Sequence, residues 1–430
     1  MKPILQLALD FLNLKRAVNV AEEAVAGGID WLEAGTPLIK SEGLNAVRVL
    51  RKKFPKITLV ADMKIMDAGR IETEAAAKAG ADVVCVLGAA RDATIRECVS
   101  AGKNYGVKIE ADLIGVGNEN LKTRARELEA LGVDFIGVHI AIDEQMEGKN
   151  PFADLRKIKN AVNIPIAFAG GINSETAPLG VKAGASIVIV GGAITKARNA
   201  KTAARDIKKA IKKGKGIKTK LFKRVKTNDV KKVLKRLSTS NISDAMHRGG
   251  AINGVYPLFK GIKMAGPALT VRTYPGDWSK TVQAVDEAPP GGVIVIDAGS
   301  MPPAVWGELA TSGAIQRKLA GVVIYGAVRD SSEICKLKFP VFARFTAPNA
   351  GEPKGFGEIG VPITVGGVRV CTGDWIIGDD DGVVCVPKDK ITEITNRAMG
   401  VLEQENRLRC EILRGSTLAK VVELLKWEKK

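Results

Sequence analysis

Six ionisable side chains of the N-terminal half stand where short apolar runs of the sequence end, so they could gather around one substrate. They are Asp10, Glu33, Asp62, Lys64, Asp112 and His139. Six such groups brought together would be costly for stability alone, because buried charges need partners. The set combines acids, an ammonium group and an imidazole, which are groups that bind cations and move protons. It therefore predicts a catalytic site.

Each of these residues also has a purely structural interpretation. An acidic residue that ends a strand, such as Asp10, can cap the helix that follows. His139 is one of only two histidines in the chain and can be a packed, hydrogen-bonded ring. Its place at a strand end favours a functional role, and the set as a whole favours catalysis.

Two glycine pairs, Gly170-Gly171 and Gly191-Gly192, follow the last two apolar runs of this half. Barrels of parallel strands commonly bind phosphate after strands seven and eight, where bare backbone N–H groups face the anion. One such pair is weak evidence, whereas two pairs at these two positions are more specific. The substrate is therefore expected to carry a phosphate.

The elements that must position these groups are eight strand–helix units within residues 1–211. The predicted strands are Ile4–Asp10, Asp30–Gly35, Thr58–Lys64, Asp82–Gly88, Val107–Ile114, Phe135–His139, Ile164–Gly171 and Ser186–Gly192. Eight near-continuous apolar strands, each followed by a helix, are typical of a (β/α)₈ TIM barrel, an α/β fold. The carboxyl ends of all its strands meet at one mouth, where the active site is expected.

Segments spread over residues 1–211 resemble the 3-hexulose-6-phosphate synthase family. They are Glu33–Ile39, Ala61–Gly69, Asp112–Val116, Gly137–His139, Ala169–Ile172 and Val190–Ile194. The spacing of Asp62, Lys64 and Asp67 matches the D-x-K-x-x-D pattern of the wider orotidine-phosphate-decarboxylase superfamily.

The close alternative in that superfamily is 3-keto-L-gulonate-6-phosphate decarboxylase. Three features resemble the synthase instead: the segment Thr36-Pro37-Leu38, Asp112 and Ala193. The decarboxylase typically carries a Glu and an Arg at the last two positions.

The resemblance implies a reversible aldol reaction of ribulose 5-phosphate with formaldehyde that gives 3-hexulose 6-phosphate. It implies that Glu33 and Asp62 hold Mg²⁺ or Mn²⁺ through hard carboxylate oxygens. Lys64 would neutralise the charge of an enediolate intermediate. His139 is the candidate general acid and base, because imidazole groups titrate near neutral pH.

Three aspartates complete the predicted catalytic set. Asp10 and Asp112 end strands at the expected mouth. Asp67 lies just past a strand, and in this superfamily such a residue is usually supplied across a dimer interface. The resemblance therefore implies that the barrel is a homodimer.

A second domain is predicted over residues 230–430, with strands, turns and a helix at Ala304–Leu319 in a mixed α/β order. It resembles the RraA-like family, which contains ribonuclease regulators and class II pyruvate aldolases. The matching segments are Ser243–Ala245, Ala265–Ala268, Tyr274–Asp277, Ala288–Gly291, Trp306–Leu309, Gly326–Asp330, Pro340–Ala343 and Gly378–Gly382.

By resemblance to the aldolases, the backbone of Gly307, Glu308 and Leu309 would bind a keto-acid carboxylate. Arg329 would steady an enolate and Asp330 would bind Mg²⁺, although a local salt bridge is the structural alternative for this pair. Three interpretations remain open for this half: a metal-dependent keto-acid lyase, a regulator that touches RNA machinery, or an assembly module, since the family usually forms trimers. The intact Arg329–Asp330 pair favours the lyase.

The chain of 430 residues carries a formal charge of +18, and much of that charge is local. Twelve lysines and two arginines lie between Ile207 and Leu237, against Asp229 as the one acid. Residues 212–229 are therefore predicted to be a basic linker, which is either solvated or a binding site for RNA or another polyanion. The solvated linker is favoured.

The remaining sequence features exclude several classes of protein. No run of about 18 apolar residues exists, so a membrane span is not expected. The segment Met1–Leu9 is interpreted as a first strand rather than a secretory signal. Six scattered cysteines without a C-x-x-C pair argue against a zinc site and suit a reducing cytoplasm.

Overall fold

The computed structural model describes residues 2–221, 223–225 and 229–422. Part of the predicted linker 212–229 and the end of the predicted domain 230–430 thus lie outside the described residues. The chain forms two compact units. The first contains the residues up to Gln145, Lys149–Arg224 and the chain from Glu403 onward, and the second contains Met146–Gly148 and Val225–Leu402. The predicted domain boundaries stay predictions.

Eight parallel strands close into a barrel in the first unit, as the sequence predicts. The strands are β1 Ile4–Leu9, β2 Trp31–Ala34, β3 Thr58–Ile65, β4 Val83–Leu87, β5 Lys108–Asp112, β6 Phe135–His139, β7 Ile166–Ala169 and β8 Ile187–Val190. Neighbouring strands pair in sequence order, and β1 pairs with β8 to close the ring.

Helices cover the outside of the barrel. They are α1 Leu14–Val25, α2 Thr36–Glu42, α3 Asn45–Lys53, α4 Gly69–Ala79, α5 Asp92–Tyr105, α6 Leu121–Leu131, α7 Ile142–Met146, α8 Phe152–Lys159, α9 Ala177–Lys182, α10 Gly192–Thr195 and α11 Ala200–Lys213. Helix α1 shows why they form: Asn13 caps its start by accepting from the backbone N–H of Arg16 at 2.7 Å. The C-cap Gly80 of α4 adopts a left-handed conformation that glycine takes without strain.

The barrel interior is apolar except at a few buried positions. The apolar side chains that pack together inside the ring include Val60, Val83 and Ile187. Polar exceptions inside the ring are Gln6, Glu33, Asp62, Glu110 and Asp112, each less than a tenth exposed. Burying charged groups without partners is costly, so these polar side chains are more consistent with a binding site than with a stabilising core.

Strand β3 is irregular where it carries its functional residues. Its register with β4 shifts between Ala61 and Ile65, and Lys64 takes a positive φ of 46°. A non-glycine residue adopts this left-handed conformation only at a cost of roughly 1 kcal/mol. The regular strand predicted from Thr58 to Lys64 is thus a bulged one, which changes the direction of the Lys64 side chain.

The second unit is built on a mixed sheet in the order β10-β15-β14-β12-β11-β19-β20-β9, with β13 beside β14 and β16 beside β11. The strands are β9 Ala251–Ile252, β10 Tyr256–Pro257, β11 Met264–Arg272, β12 Val293–Asp297, β13 Ala304–Trp306, β14 Gly321–Val328, β15 Val341–Thr346, β16 Glu358–Ile359, β17 Ile363–Val365, β18 Val368–Val370, β19 Trp375–Asp379 and β20 Gly382–Val386. β17 and β18 form a separate two-stranded sheet.

The helices of the remaining chain are α12 Val230–Leu234, α13 Thr239–Ala245, α14 Ser279–Glu287, α15 Glu308–Gln316, α16 Ser331–Leu337, α17 Ile391–Leu413 and α18 Leu418–Val422. The predicted helix Ala304–Leu319 is wrong at its start, because Ala304–Trp306 pairs with β14 as strand β13. The β-branched Val305 and the aromatic Trp306 favour a strand there, and Gly307 separates that strand from α15.

The end of α17 belongs to the first unit and is held there by a buried ion-pair network. Arg407, 2% exposed, donates to both carboxylate oxygens of Glu23 at 3.0 Å and to Glu411 at 2.8 Å. Glu411 also binds Arg16 of α1 at 3.0 Å. Residues far beyond the eighth barrel strand therefore complete the outer layer of this unit.

Within the ranges that the structure describes, no helix is long and apolar enough to cross a membrane.

Candidate active site

A cavity of about 570 Å³ opens at the carboxyl ends of the barrel strands. All six ionisable groups singled out in the sequence line it, and so do both glycine pairs. Asp112 and His139 are the last residues of β5 and β6, and Asp10 directly follows β1. The barrel thus brings these side chains together at one mouth, where the sequence places them.

Lys64 lies at the centre of the charged cluster. Its Nζ donates to Oδ2 of Asp112 at 3.0 Å and to the Asp62 carboxylate at 3.0 and 3.1 Å. Burial by itself would lower the pKa of this amine, but the charges of Asp112 and Asp62 outweigh it and raise the pKa above its ordinary value. The amine therefore stays protonated and cannot serve as a base.

Asp112 links Lys64 to the histidine. Burial acts to raise the pKa of its carboxyl, but the hydrogen bond and charge of His139, with Lys64, lower that pKa to about 2. An ionised carboxylate only accepts hydrogen bonds, so Nδ1 of His139, 3.1 Å from Oδ2, must be the donor. The backbone N–H of Ile114 binds the other oxygen at 2.9 Å. This arrangement leaves Nε2 of His139 as the nitrogen that can exchange a proton.

The predicted carboxylates Glu33, Asp62 and Asp10 share the cavity with Asp112. Oε2 of Glu33 accepts from Gln6 at 2.6 Å, and Oδ2 of Asp62 accepts from the Thr36 hydroxyl at 2.7 Å. Burial and then the charge of Asp62 raise the pKa of Glu33 well above its ordinary range. The same two causes raise the pKa of Asp10, which is open to the cavity yet surrounded by protein. Mutual repulsion of this kind is relieved when a cation binds between the groups.

The fit of a divalent cation can be judged from these carboxylates. In the described parts of the chain, no group of three or more His, Cys, Asp and Glu side chains is arranged to hold a metal ion. Mg²⁺ commonly uses only one or two carboxylates and completes its shell with water and substrate oxygens. Glu33 and Asp62 suit that mode, because both line the cavity and the charge of one raises the pKa of the other.

The glycine pairs form another part of the cavity wall. Gly170 and Gly171 have φ values of 112° and 68°, which side-chain-bearing residues rarely adopt. Gly191 precedes the short helix α10, in which Gly192 is the first residue. These positions bring bare backbone to the cavity, as expected for a wall that contacts an anion.

Asp67 is not brought into this cluster by the single chain. The residue is exposed and its Oδ1 accepts from the backbone N–H of Ala68 at 2.7 Å. Its predicted role, which depends on a second subunit, stays a prediction.

Several cavity residues were not among the predicted catalytic, metal-binding or substrate-binding residues. They are Thr36, Cys85, Glu110, Gln145 and Lys196. The alternation of side chains along a strand could have found Glu110, because it stands two residues before Asp112 and thus on the same face. Gln145 and Lys196 lie outside the strands, and no pattern in the sequence indicates their position.

In the second unit, the predicted keto-acid residues lie close together. Nε of Arg329 is 3.2 and 3.3 Å from the Asp330 carboxylate. The backbone N–H of Glu308 donates to Oδ2 of Asp330 at 3.3 Å. A Cβ on Gly307 would lie 2.7 Å from that oxygen, so a larger residue would displace the Asp330 carboxylate. Leu309 is 83% exposed and contributes no enclosing wall.

Two family models match the chain. Residues 3–207 match the family described as orotidine 5'-phosphate decarboxylase / HUMPS. Residues 239–385 match the RraA-like family, described as Aldolase/RraA.

Known proteins resemble mainly the first half. The 3-hexulose-6-phosphate synthase of Bacillus subtilis is 45% identical over 211 residues, which are 49% of this chain and 99% of the relative. The synthase of Mycobacterium gastri is 40% identical over 207 residues, 48% of this chain and 99% of the relative. A crystal structure of the synthase from Salmonella typhimurium is 39% identical, with a TM-score of 0.47 over 50% of this chain and 100% of that one.

A solved RraA structure, an RNA-processing inhibitor from Thermus thermophilis, is 29% identical. It covers 35% of this chain and 93% of that one, with a TM-score of 0.33.

Proposed function

The chain belongs, through its N-terminal half, to the 3-hexulose-6-phosphate synthase family of aldehyde-lyases, and we propose that its barrel joins ribulose 5-phosphate to formaldehyde reversibly. The product is 3-hexulose 6-phosphate. The observation that carries this proposal is the shared oxygen of Asp112, which binds both Lys64 and His139. The carboxylate of Asp112 thus holds a positive charge, that of Lys64, next to a ring that can transfer a proton, that of His139.

His139 is the base of the proposed reaction. Its Nδ1 is held by Asp112, so its Nε2 takes a proton from C1 of the sugar, next to the C2 carbonyl. The electron pair that remains on C1 is delocalised onto the C2 carbonyl oxygen, which gives an enediolate. Lys64, which stays protonated, meets the negative charge that develops.

The bond-forming step joins the enediolate to the second substrate. C1 of the enediolate attacks the carbonyl carbon of formaldehyde, and the π electrons of that carbonyl move to its oxygen. The oxygen then takes up a proton, which the protonated His139 can return. The reverse sequence releases formaldehyde.

Glu33 and Asp62 are proposed to hold Mg²⁺ or Mn²⁺ beside the sugar oxygens. A cation held there would supply Lewis-acid stabilisation of the oxygen atoms that become negative. The glycine pairs at the ends of β7 and β8 are proposed to receive the phosphate, with Lys196 in the same wall.

A homodimer would place Asp67 of one subunit at the site of the other. The exposure of Asp67 and of its neighbours Met66 and Ile71, which are 54% and 70% exposed, supports this proposal. Mixing two inactive variants, Asp67→Asn and Lys64→Ala, tests it. Mixed dimers should regain activity, because one of their two sites is intact, and a mixture that stays inactive contradicts a shared site.

The RraA-like half is proposed to be a metal-dependent lyase for a small keto acid. The contacts among Gly307, Glu308, Arg329 and Asp330 support it, because they gather backbone, guanidinium and carboxylate groups at one strand end. A carboxylate substrate would replace Asp330 as the partner of Arg329. Asp330 would then be free to contribute to a cation site.

One paired assay tests both halves in the full chain. Formaldehyde consumption with ribulose 5-phosphate should depend on divalent metal and be abolished by EDTA and by Asp62→Asn, but not by Arg329→Ala. Keto-acid cleavage should show the opposite dependence on the two variants. Turnover of 3-keto-L-gulonate 6-phosphate instead of the aldol substrates would contradict the proposal for the barrel.

The basic segment 212–229 and the cellular location are open to direct tests. Binding of RNA should collapse between low and high salt if the lysines contact phosphates, since counterion release dominates such binding. Six free cysteines suit the reducing cytoplasm that we propose for this protein.

A further inference from the structure

Glu110 is a buried carboxyl group inside the barrel that the proposed reaction does not use. It lies on β5, is 3% exposed and lines the active-site cavity. On the neighbouring strand β4 its partner in register is Cys85, which lines the same cavity. Glu110 therefore faces the substrate space and not the surrounding helices.

One oxygen of this carboxyl group has no protein partner. Oε2 is fully buried and makes no hydrogen bond with any residue that the structure describes. A buried polar atom without a partner is costly, and native proteins usually keep one for a ligand, a water molecule or a catalytic purpose. A glutamate with only a scaffolding role is expected to have both oxygens bonded.

The neighbouring strand makes room for Glu110. Gly137 on β6 has no side chain, and a Cβ at this position would lie 2.9 Å from Oε1 of Glu110 and 3.1 Å from Cα of Asp112. That spacing is too short for any larger residue without displacement. The space that the Glu110 side chain occupies is thus formed by residues of two neighbouring strands, β5 and β6.

The surroundings keep this carboxyl group protonated. Burial, and after it the charges of Asp112 and Asp62, raise the pKa of Glu110 to about 8. The charged or titratable groups that share its cavity are Asp10, Glu33, Asp62, Lys64, Cys85, Asp112, His139 and Lys196. Near neutral pH Glu110 can therefore donate a hydrogen bond, which ionised Asp112 cannot.

We propose that Glu110 is a further substrate-contacting residue, which holds a neutral carbonyl or hydroxyl oxygen at the reacting end of the ligand. Glu110 stands two residues deeper in the barrel than Asp112, which is roughly 6–7 Å along the strand. The glycine pairs that are proposed to bind phosphate lie at the ends of β7 and β8, at the mouth. Only the uncharged end of a sugar phosphate, or the small aldehyde, reaches that depth.

This inference rests on the proposed function, and it is tested with two variants in the full chain. Glu110→Leu removes the polar group at similar size, whereas Glu110→Gln keeps an N–H donor. KM and kcat are measured separately for ribulose 5-phosphate and for formaldehyde. Glu119→Gln is the matched control, because this exposed glutamate lies outside the cavity.

Glu110→Leu should lower kcat/KM by about 10- to 100-fold, the usual effect of losing a hydrogen bond to a reacting group. Glu110→Gln should recover part of that loss, and Glu119→Gln should match the wild type. A KM increase for formaldehyde alone identifies the aldehyde as the ligand, and one for the sugar phosphate identifies the sugar. If Glu110→Leu keeps kcat and both KM values within about twofold, the inference is wrong. If Glu110→Leu does not fold, Glu110→Met, which also lacks a hydrogen-bond donor, takes its place, and constants within about twofold of the wild type decide against the inference.

A binding measurement separates this inference from the proposed reaction. Ribulose 5-phosphate and inorganic phosphate are each added to the wild type and to Glu110→Gln, and the shift in melting temperature is recorded. The shift with the sugar phosphate should shrink in the variant, while the shift with inorganic phosphate should not. If the wild type binds the sugar phosphate but shows no turnover, the aldol proposal alone fails and the shifts decide the role of Glu110. If it neither binds nor turns over, both proposals fall.

Discussion

His139 donates from Nδ1 to Oδ2 of Asp112 over 3.1 Å, and this contact fixes which nitrogen of the ring is free for proton transfer. An amide in place of the carboxylate could offer N–H groups to the ring and would lose the charge that holds Lys64. We therefore expect Asp112→Asn to lower kcat by about 100-fold or more, with a small change in KM for ribulose 5-phosphate. Steady-state consumption of formaldehyde measures both constants.

The control for that variant is Glu97→Gln, which removes a negative charge from the exposed face of α5. It should leave kcat unchanged. A kcat for Asp112→Asn within tenfold of the wild type would contradict the role of Asp112 as an anchor.

The stability of the protein should depend on pH through Glu110. Its pKa in the folded chain is about 8, above the ordinary value of 4.5. The folded state therefore holds this proton over a range in which the unfolded chain releases it, and the free energy of unfolding falls as pH rises from about 4.5 through about 8. Glu110→Gln removes this contribution.

Calorimetry in EDTA at pH 5 and pH 8 measures the effect. The melting temperature of the wild type should decrease more between these two values than that of Glu110→Gln. Equal decreases would show that Glu110 is ionised in the folded protein.

Metal binding should depend on Glu33 and Asp62. Removal of either carboxylate charge takes away a ligand, so Glu33→Gln and Asp62→Asn should each weaken Mn²⁺ binding by at least about tenfold. Titration of the metal-free chain with Mn²⁺, followed by electron paramagnetic resonance, gives the affinity without any turnover. Glu119→Gln serves as control, and an unchanged affinity in both variants would exclude this pair as the metal site.

The network around Arg407 should stabilise the first unit. Arg407→Ala removes the most buried partner of Glu23 and one of the two arginines that bind Glu411, and breaking a buried pair costs about 3 kcal/mol or more. Arg409→Ala, two residues away, removes an exposed pair with Glu405 and an exposed hydrogen bond to Asn406, and should cost about 0–1 kcal/mol. Urea unfolding followed by circular dichroism compares the two, and equal midpoints would contradict the stabilising role.

The sequence predicts the barrel well because its signals are local and repeated. Apolar strands alternate with helices, and a parallel ring places every strand end at one mouth, so the convergence of Glu33, Asp62, Asp112 and His139 follows from topology alone. The sequence motifs that resemble the family contain the same four residues and predict the same site. Phe135–His139 has the predicted bounds without change.

The parts that the sequence does not predict depend on long-range packing. The bulge that turns Lys64 toward both aspartates arises from pairing with β4, and no residue type in β3 signals it. The space for the Glu110 side chain depends on Gly137 in the next strand, 27 residues later in the chain. Strand β13 was predicted as part of a helix, because three residues are too few to show the alternation of side chains that is typical of a strand. Its pairing with β14 determines that it is a strand.

Because the chain from Glu403 onward returns to the first unit, that unit is discontinuous in sequence. A cut after residue 211 would keep the whole range 3–207 that matches the family model, yet it would remove Arg407 and Glu411 from the barrel surface. A single truncation of the gene therefore does not separate the two units, to which the two proposed activities are assigned. A barrel produced on its own would keep these ion pairs only if the end of α17 were supplied as a separate peptide or joined to the barrel.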